Sequence, residues 1–197
     1  VWIGGDRPAH LVADAEKAKA AGFTAVKMNV AEELQIIDSH AQVDAIVERL
    51  FALRQAVGNT LDLALDFHGR VHAPMARILL KELADLRPIF IEDPVAPGQI
   101  EALADLSRQT ALPLSVGERI HSRAEFKQLF EKRAVQLINP DPAHMGGISE
   151  TVRLGYVAET YDVALAPHCP LGPIALAACL QVDAVCHNAV LQEQSLG

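Results

Sequence analysis

The sequence predicts an α/β fold: a parallel (β/α)8 barrel of the TIM type, lacking its final helix. Three observations carry this. Short apolar runs alternate with helical patterns along the whole chain, eight of one and seven of the other. The runs are rich in Val, Ile and Leu on both faces, the mark of a parallel sheet that is covered on both sides. Six of them end in an acid or a histidine at nearly even steps. Asp66, Glu92, Glu118, Asp141, His168 and Glu193 are separated by 26, 26, 23, 27 and 25 residues. Regular alternation with right-handed crossovers allows either a doubly wound sheet or a closed barrel. Eight units favour the barrel, although 197 residues is lean beside the typical ~250. A doubly wound sheet usually carries a glycine fingerprint after its first strand, and no GxGxxG or P-loop pattern occurs.

Taken in order, Val1 to Gly5 reads as the tail of a first strand. Pro8 to Ala21 is helical in pattern, with Gly22 as its stop. FTAVKMNV (23–30) is the second strand, and residues 31–40 form an acidic, mixed loop. Val43, Ile46, Val47, Leu50 and Leu53 recur at helical spacing within Gln42 to Val57, which Gly58 ends. A third strand spans 61–67 and a helix follows from Pro74 to Leu83. Pro88 precedes strand four (89–93), and Ile100 to Ser107 is a helix. Pro113 precedes strand five (114–118), and Arg123 to Lys132 is a helix. Strand six (135–139), a helix from Gly147 to Tyr161 and strand seven (163–167) come next. Pro173 opens a helix to Val182, as proline suits a first turn, and strand eight spans 189–193.

Half of the residues are hydrophobic and charge content is average, which suits one domain over 1–197. The net charge is −8 without a basic run, so nucleic acid and anionic membranes are poor partners. An anionic substrate would need local positive charge from a metal or an arginine. The apolar run Ile174 to Leu180 is far too short to span a bilayer. The opening Val1-Trp2-Ile3 has no signal-peptide pattern. Cys169, Cys179 and Cys186 form no CxxC pair and no even framework, which favours a reducing, cytoplasmic compartment. A start at Val1 and a stop just after a strand suggest a piece of a longer chain.

A barrel brings its C-terminal strand ends to one mouth. Asp66, His68, Glu92, Glu118, Asp141, His168 and Glu193 should therefore meet there, with Asp66 and His68 on one face by strand alternation. Any single carboxylate at such a position more often caps the next helix. Three on adjacent strands, ionised together, would repel and raise one pKa. A divalent ion removes that conflict, and oxygen-only ligands suit Mg²⁺ or Mn²⁺ better than Zn²⁺.

The strings LDFHGRVHAPMA (65–76), IFIEDP (89–94), GERIHSR (117–123), HMGGISE (144–150), APHCPLGPIALAAC (166–179) and NAVLQEQS (188–195) carry a resemblance. The chain resembles the barrel domain of the enolase superfamily, in its mandelate racemase-like branch. The resemblance implies that Asp66, Glu92 and Glu118 hold Mg²⁺. It implies that a neutral His168 is the base, Asp141 its partner and His68 the general acid, with Glu193 near the substrate carboxylate. The implied reaction is dehydration of a sugar acid, galactonate foremost. Proton loss at C2 would give a metal-stabilised enediolate, followed by loss of the C3 hydroxyl. It further implies a homo-oligomer and an α+β capping domain outside these residues. Asn29 stands where other branches place a lysine base on the second strand, which favours one-sided proton abstraction and places Asn29 beside the substrate. Asp93 replaces a common glutamate and should point away from the metal face. The runner-up readings are another acid-sugar dehydratase of the same branch and a metal-binding barrel without turnover.

Other candidates have ordinary explanations. Cys169 beside His168 reads as small-residue packing rather than a nucleophile. His68 and His72 have HxxxH spacing, but Pro74 disfavours helix just before it and the metalloprotease glutamate is absent. Gly146-Gly147 suits a tight turn. Arg119 and Arg123 can touch substrate or pair with nearby acids. His10, His40, His121, His144 and His187 read as surface or local hydrogen-bonding residues, the third and fourth of them near the mouth.

Overall fold

The computed structural model describes all residues except 5, 6, 32, 33, 196 and 197. Gly5, the expected end of the first strand, and Glu32 and Glu33 in the acidic loop thus lie outside the described residues. Among the described residues, seven helices alternate with six strands: α1 (Pro8–Ala20), β1 (Ala25–Asn29), α2 (His40–Val57), β2 (Asp62–Asp66), α3 (Ala73–Glu82), β3 (Phe90–Glu92), α4 (Ile100–Gln109), β4 (Leu114–Val116), α5 (Arg123–Glu131), β5 (Leu137–Ile138), α6 (Ile148–Glu159), β6 (Ala164–Leu165) and α7 (Pro173–Asp183). A 3₁₀ turn at Ala84–Leu86 follows α3.

The strands pair in parallel and in sequence order, β1 to β6. The expected outer strands are reduced to single bridges, Trp2 to Lys27 at one edge and Ala189 to Leu165 at the other. That corrects the eight-stranded expectation. Among the described residues, no backbone hydrogen bond joins Val1–Ile3 to Leu191–Glu193. These two segments instead share a small interior cavity with Lys27, Phe90 and Ala166. The architecture is TIM-barrel-like, with six strands in one ladder.

Two apolar layers follow from strand alternation. The side chains of Leu63, Leu65, Ile91 and Ile138 belong to the large core between sheet and helices. Their neighbours Ala64, Phe90, Leu137 and Ala166 form a small separate cluster inside the curve of the sheet. The parallel register fixes what lies above this inner plug. Lys27 pairs with Ala64, Asn29 with Asp66, and Asp66 with Glu92. Lys27, Asn29, Asp66 and Glu92 therefore share the interior face. Serines cap two of the helices: Ser39 accepts the Gln42 N–H ahead of α2, and Ser122 accepts the Glu125 N–H ahead of α5. Among the described residues, no helix is long and apolar enough to cross a membrane.

Candidate metal and proton-transfer site

The mouth is a cavity of about 430 Å³ lined by Lys27, Asn29, Asp66, His68, Glu118, His168 and Glu193, with Trp2 at its edge. Glu92 and Asp141 lie behind it, both buried. Each expected site residue thus reaches one place. The strands stop early, and short turns deliver the rest. β4 ends at Val116, and Gly117 lets the chain turn against its neighbour. A Cβ there would sit 2.3 Å from the Asn139 carbonyl carbon. That close approach is what brings Glu118 to the mouth.

On the β6 side, His168 stands between two carboxylates. Its Nδ1 lies 3.0 Å from Asp141 Oδ2, and its Nε2 lies 3.0 Å from Glu118 Oε2. Asp141 is itself fixed, because its Oδ1 accepts the Ala143 N–H at 2.7 Å. Burial alone would lower the His168 pKa. The hydrogen bonds to Asp141 and Glu118 outweigh it and push the imidazole up to about 10. Burial would likewise raise Glu118, yet the His168 bond holds that carboxyl down at about 2. Sequence reasoning expects a neutral base; two carboxylates keep His168 protonated in this arrangement.

On the β2 side, the chain leaves the strand after Asp66. His68 adopts a left-handed backbone, φ +53°, so its position does not come from strand alternation. Its N–H donates to Asp66 Oδ1 at 2.6 Å, and its Nδ1 lies 3.2 Å from Asp66 Oδ2 and 3.7 Å from Glu118 Oε1. Arg119 holds the loop from below, donating to the His68 carbonyl at 2.8 Å and to Glu118 Oε1 at 3.2 Å.

Between the two sides, Lys27 is buried, with its Nζ 2.7 Å from Glu92 Oε2 and 2.9 Å from Glu193 Oε1. Burial opposes its charge, but Glu92, Glu193 and Asp66 raise its pKa and keep it cationic. Glu193 also accepts the Cys169 N–H at 3.1 Å, which ties the last strand segment to the His168 loop. Lys27 is the residue that sequence reasoning passed over. The signal was there: Lys27 and Asn29 alternate on one strand, so both face inward.

Among the described residues, no three acidic, histidine or cysteine side chains enclose a metal position. The expected triad is instead neutralised by Lys27 on Glu92 and His168 on Glu118. The donor set still fits a hard cation. Asp66 and Glu92 are register neighbours, Glu92 Oε1 is buried without a hydrogen-bond partner, and all three groups offer oxygen.

Asp93 leans away from the mouth into a separate cavity of about 270 Å³ with Val95, Leu103 and Leu129. It is not electrostatically idle: burial, then the charges of Glu118 and Asp66, push its carboxyl up to about 7. Cys169, Cys179 and Cys186 are buried free thiols. Gly146 and Gly147 make the turn before α6. Arg123 pairs with Glu150 rather than facing the mouth. His144 Nδ1 lies 3.0 Å from the Glu118 carbonyl, at the rim.

Comparison with known proteins bears on this geometry. The family model of enolase C-terminal domain-like proteins matches residues 10–197. The chain belongs to that family. It is 55% identical over 196 residues to D-galactonate dehydratase of Ralstonia pickettii (strain 12J), matching 100% of this chain and 51% of the relative. It is 51% identical to D-galactonate dehydratase of Xanthomonas oryzae pv. oryzae (strain PXO99A), with the same coverage. Among solved structures, a mandelate racemase/muconate lactonizing enzyme-like protein from Rubrobacter xylanophilus DSM 9941 superposes with a TM-score of 0.90 at 32% identity, covering 95% of this chain and 50% of that one. Its counterpart from Roseovarius sp. TM1035 gives 0.91 at 28% identity, covering 96% and 49%. The enolase-type chain spans about half the length of these relatives.

Proposed function

We propose that this barrel is the catalytic part of a Mg²⁺-dependent hydro-lyase that dehydrates a sugar acid, D-galactonate before others, to a 2-dehydro-3-deoxy acid. The observation that carries the reading is a pair of histidines, each held on a carboxylate, on opposite sides of one acidic cluster. A proton next to a carboxylate is very weakly acidic, since its loss adds negative charge to a group already charged. Asp66, Glu92 and Glu118 would hold the divalent ion, which supplies positive charge to the substrate carboxylate when bound. Lys27 adds a fixed buried cation beside Glu92 and Glu193. Asn29 and Glu193 line the same cavity and orient the substrate.

His168 takes the C2 proton, with Asp141 fixing the tautomer through Nδ1. Glu118 would hold the ion when one is bound, so Nε2 would lose this partner and release its proton to solvent, leaving a neutral His168 able to accept the C2 proton. His68 gives a proton to the departing C3 hydroxyl. The absence of a lysine base at Asn29 fits one-sided abstraction. The family resemblance adds a homo-oligomer, and three buried free thiols suit the cytoplasm.

The test is a screen of six-carbon sugar acids with Mg²⁺, using the longest chain the native source encodes. A 2-keto acid from galactonate alone supports the reading. Product from a different sugar acid keeps the mechanism and overturns the substrate. No product from any, with Mg²⁺ bound, overturns the activity in favour of a metal-binding barrel.

A further inference from the structure

We propose that Arg119 is a positioning residue that holds His68 in place for the protonation step, so that losing Arg119 uncouples dehydration from C2 proton removal. The inference rests on the reading of His68 as the acid. It goes further by assigning the device that holds this histidine in its left-handed backbone conformation.

A non-glycine residue at positive φ is strained and persists only when its surroundings impose it. Two consecutive loops carry such residues here, His68 at φ +53° and Asp93 at φ +43°. They are locked together by the Gly69 N–H, which donates to the Asp93 carbonyl at 2.9 Å. Arg119 joins both loops to a third. Its Nη2 donates to the His68 carbonyl, its Nε to Glu118, and the same Nε lies 3.8 Å from Asp93 Oδ2. That Asp93 oxygen is buried and has no hydrogen-bond partner, so the guanidinium is the positive charge nearest to it.

Space for this fork is made by Gly69. A Cβ there would lie 2.7 Å from Arg119 Nη1 and 3.2 Å from Pro97. A planar guanidinium offers donors at fixed angles to His68 and Glu118 while its charge faces Asp93; an ammonium is a point charge and cannot reproduce that fork. Arg119 touches the His68 backbone and not its ring, so its hold on the acid runs through the His68 carbonyl. Arg119 and His168 share Glu118 but use different oxygens, Oε1 for Arg119 and Oε2 for His168, and Asp141 holds the other side of the His168 ring.

The test uses Arg119→Gln and Arg119→Lys in the longest native chain, with His68→Asn as the comparator. With Mg²⁺ and galactonate in D₂O, dehydration and C2 hydrogen–deuterium exchange are followed together. The expected result is a loss of dehydration by about 30-fold or more in both Arg119 variants, a large part of the roughly 100- to 10,000-fold that acid catalysis supplies. Exchange should persist, as in His68→Asn, and Lys should not rescue. An equal fall of both rates, or unchanged dehydration, overturns the proposal. A second readout does not depend on turnover: the His68 ring resonance, assigned by its loss in His68→Asn. It should shift or broaden in Arg119→Gln while the His168 resonance stays. An unmoved His68 signal overturns the proposal even if no sugar acid is turned over, an outcome that would separately overturn the activity.

Discussion

The two histidine-bearing strand ends are built in opposite ways. At the end of β6, His168 is clamped by its ring, with a carboxylate on each nitrogen. Its side chain is 12% exposed, against 31% for His68. At the end of β2, His68 is held chiefly through its backbone, by Asp66 from above and Arg119 from below. A ring clamp fixes protonation as well as place. A backbone clamp fixes place, and the His68 ring has one close carboxylate, Asp66 Oδ2 at 3.2 Å from Nδ1, where His168 has two. The first suits a base whose strength must be controlled; the second suits an acid that must meet a leaving group.

The largest expected effect breaks the two apart. His168→Asn should abolish C2 exchange and dehydration together, by roughly 100- to 10,000-fold. His68→Asn should remove dehydration and leave exchange. Deuterium incorporation by NMR, beside a keto-acid assay, reads both. Exchange surviving in His168→Asn would remove it as the base.

The next prediction concerns the carboxylates between the two sides. Mg²⁺ added to chelator-stripped protein should raise the melting temperature, since a ligand selective for the folded state adds about 2.7 kcal/mol at a hundred times its Kd. Glu92→Gln should abolish that rise, because the buried Oε1 that now lacks a partner is the oxygen best placed to take an ion. An equal Mg²⁺ shift in Glu92→Gln would move the ion elsewhere.

How much of this was legible beforehand depends on the physical level. The strand–helix alternation is a signal of burial, so six strands, all seven helices and the meeting of Asp66, Glu92, Glu118, Asp141, His168 and Glu193 followed from pattern alone. The outer strands did not. Apolar runs at Val1 and Ala189 look like the others, but each has a ladder on one side only and shrinks to a bridge. His68 was placed correctly for an incomplete reason: alternation put it beside Asp66, whereas the structure uses a left-handed turn and a backbone bond. Lys27 was missed because a lysine in a strand reads as exposed until the register shows Ala64 and Asp66 around it.

The ring clamp on His168 also predicts a pH dependence. His168 is raised from its ordinary 6.5 to about 10. A basic group whose folded pKa is raised adds stability that is fully present below about 6.5 and is lost as pH rises through about 10. Chelator-treated protein should therefore melt lower across that interval, and His168→Asn should flatten the slope. With Mg²⁺ holding Glu118, one of the two partners is withdrawn and the slope should shrink. A slope unchanged in His168→Asn would place the titrating group elsewhere.

The smallest effect tests whether the β6 side can be altered in stability without touching the chemistry. Asp183, at the end of α7, has its carboxyl pushed up to about 6 by burial, and its Oδ1 has no hydrogen-bond partner. An acid whose folded pKa is raised destabilises the protein once it ionises, so stability falls as pH climbs from about 4 to 6 and stays lower above. Asp183→Asn removes the charge and keeps the shape. It should stabilise the protein at pH 8 by about 1 kcal/mol, the full shift being reduced for the share of the side chain that water reaches. At pH 4 the variant and the parent should melt alike. Because α7 follows the His168 loop and Asp183 faces neither histidine, the ratio of exchange to dehydration should not move. A changed ratio would mean that α7 packing sets the His168 geometry, and the ring clamp would then be less self-contained than its two carboxylates suggest.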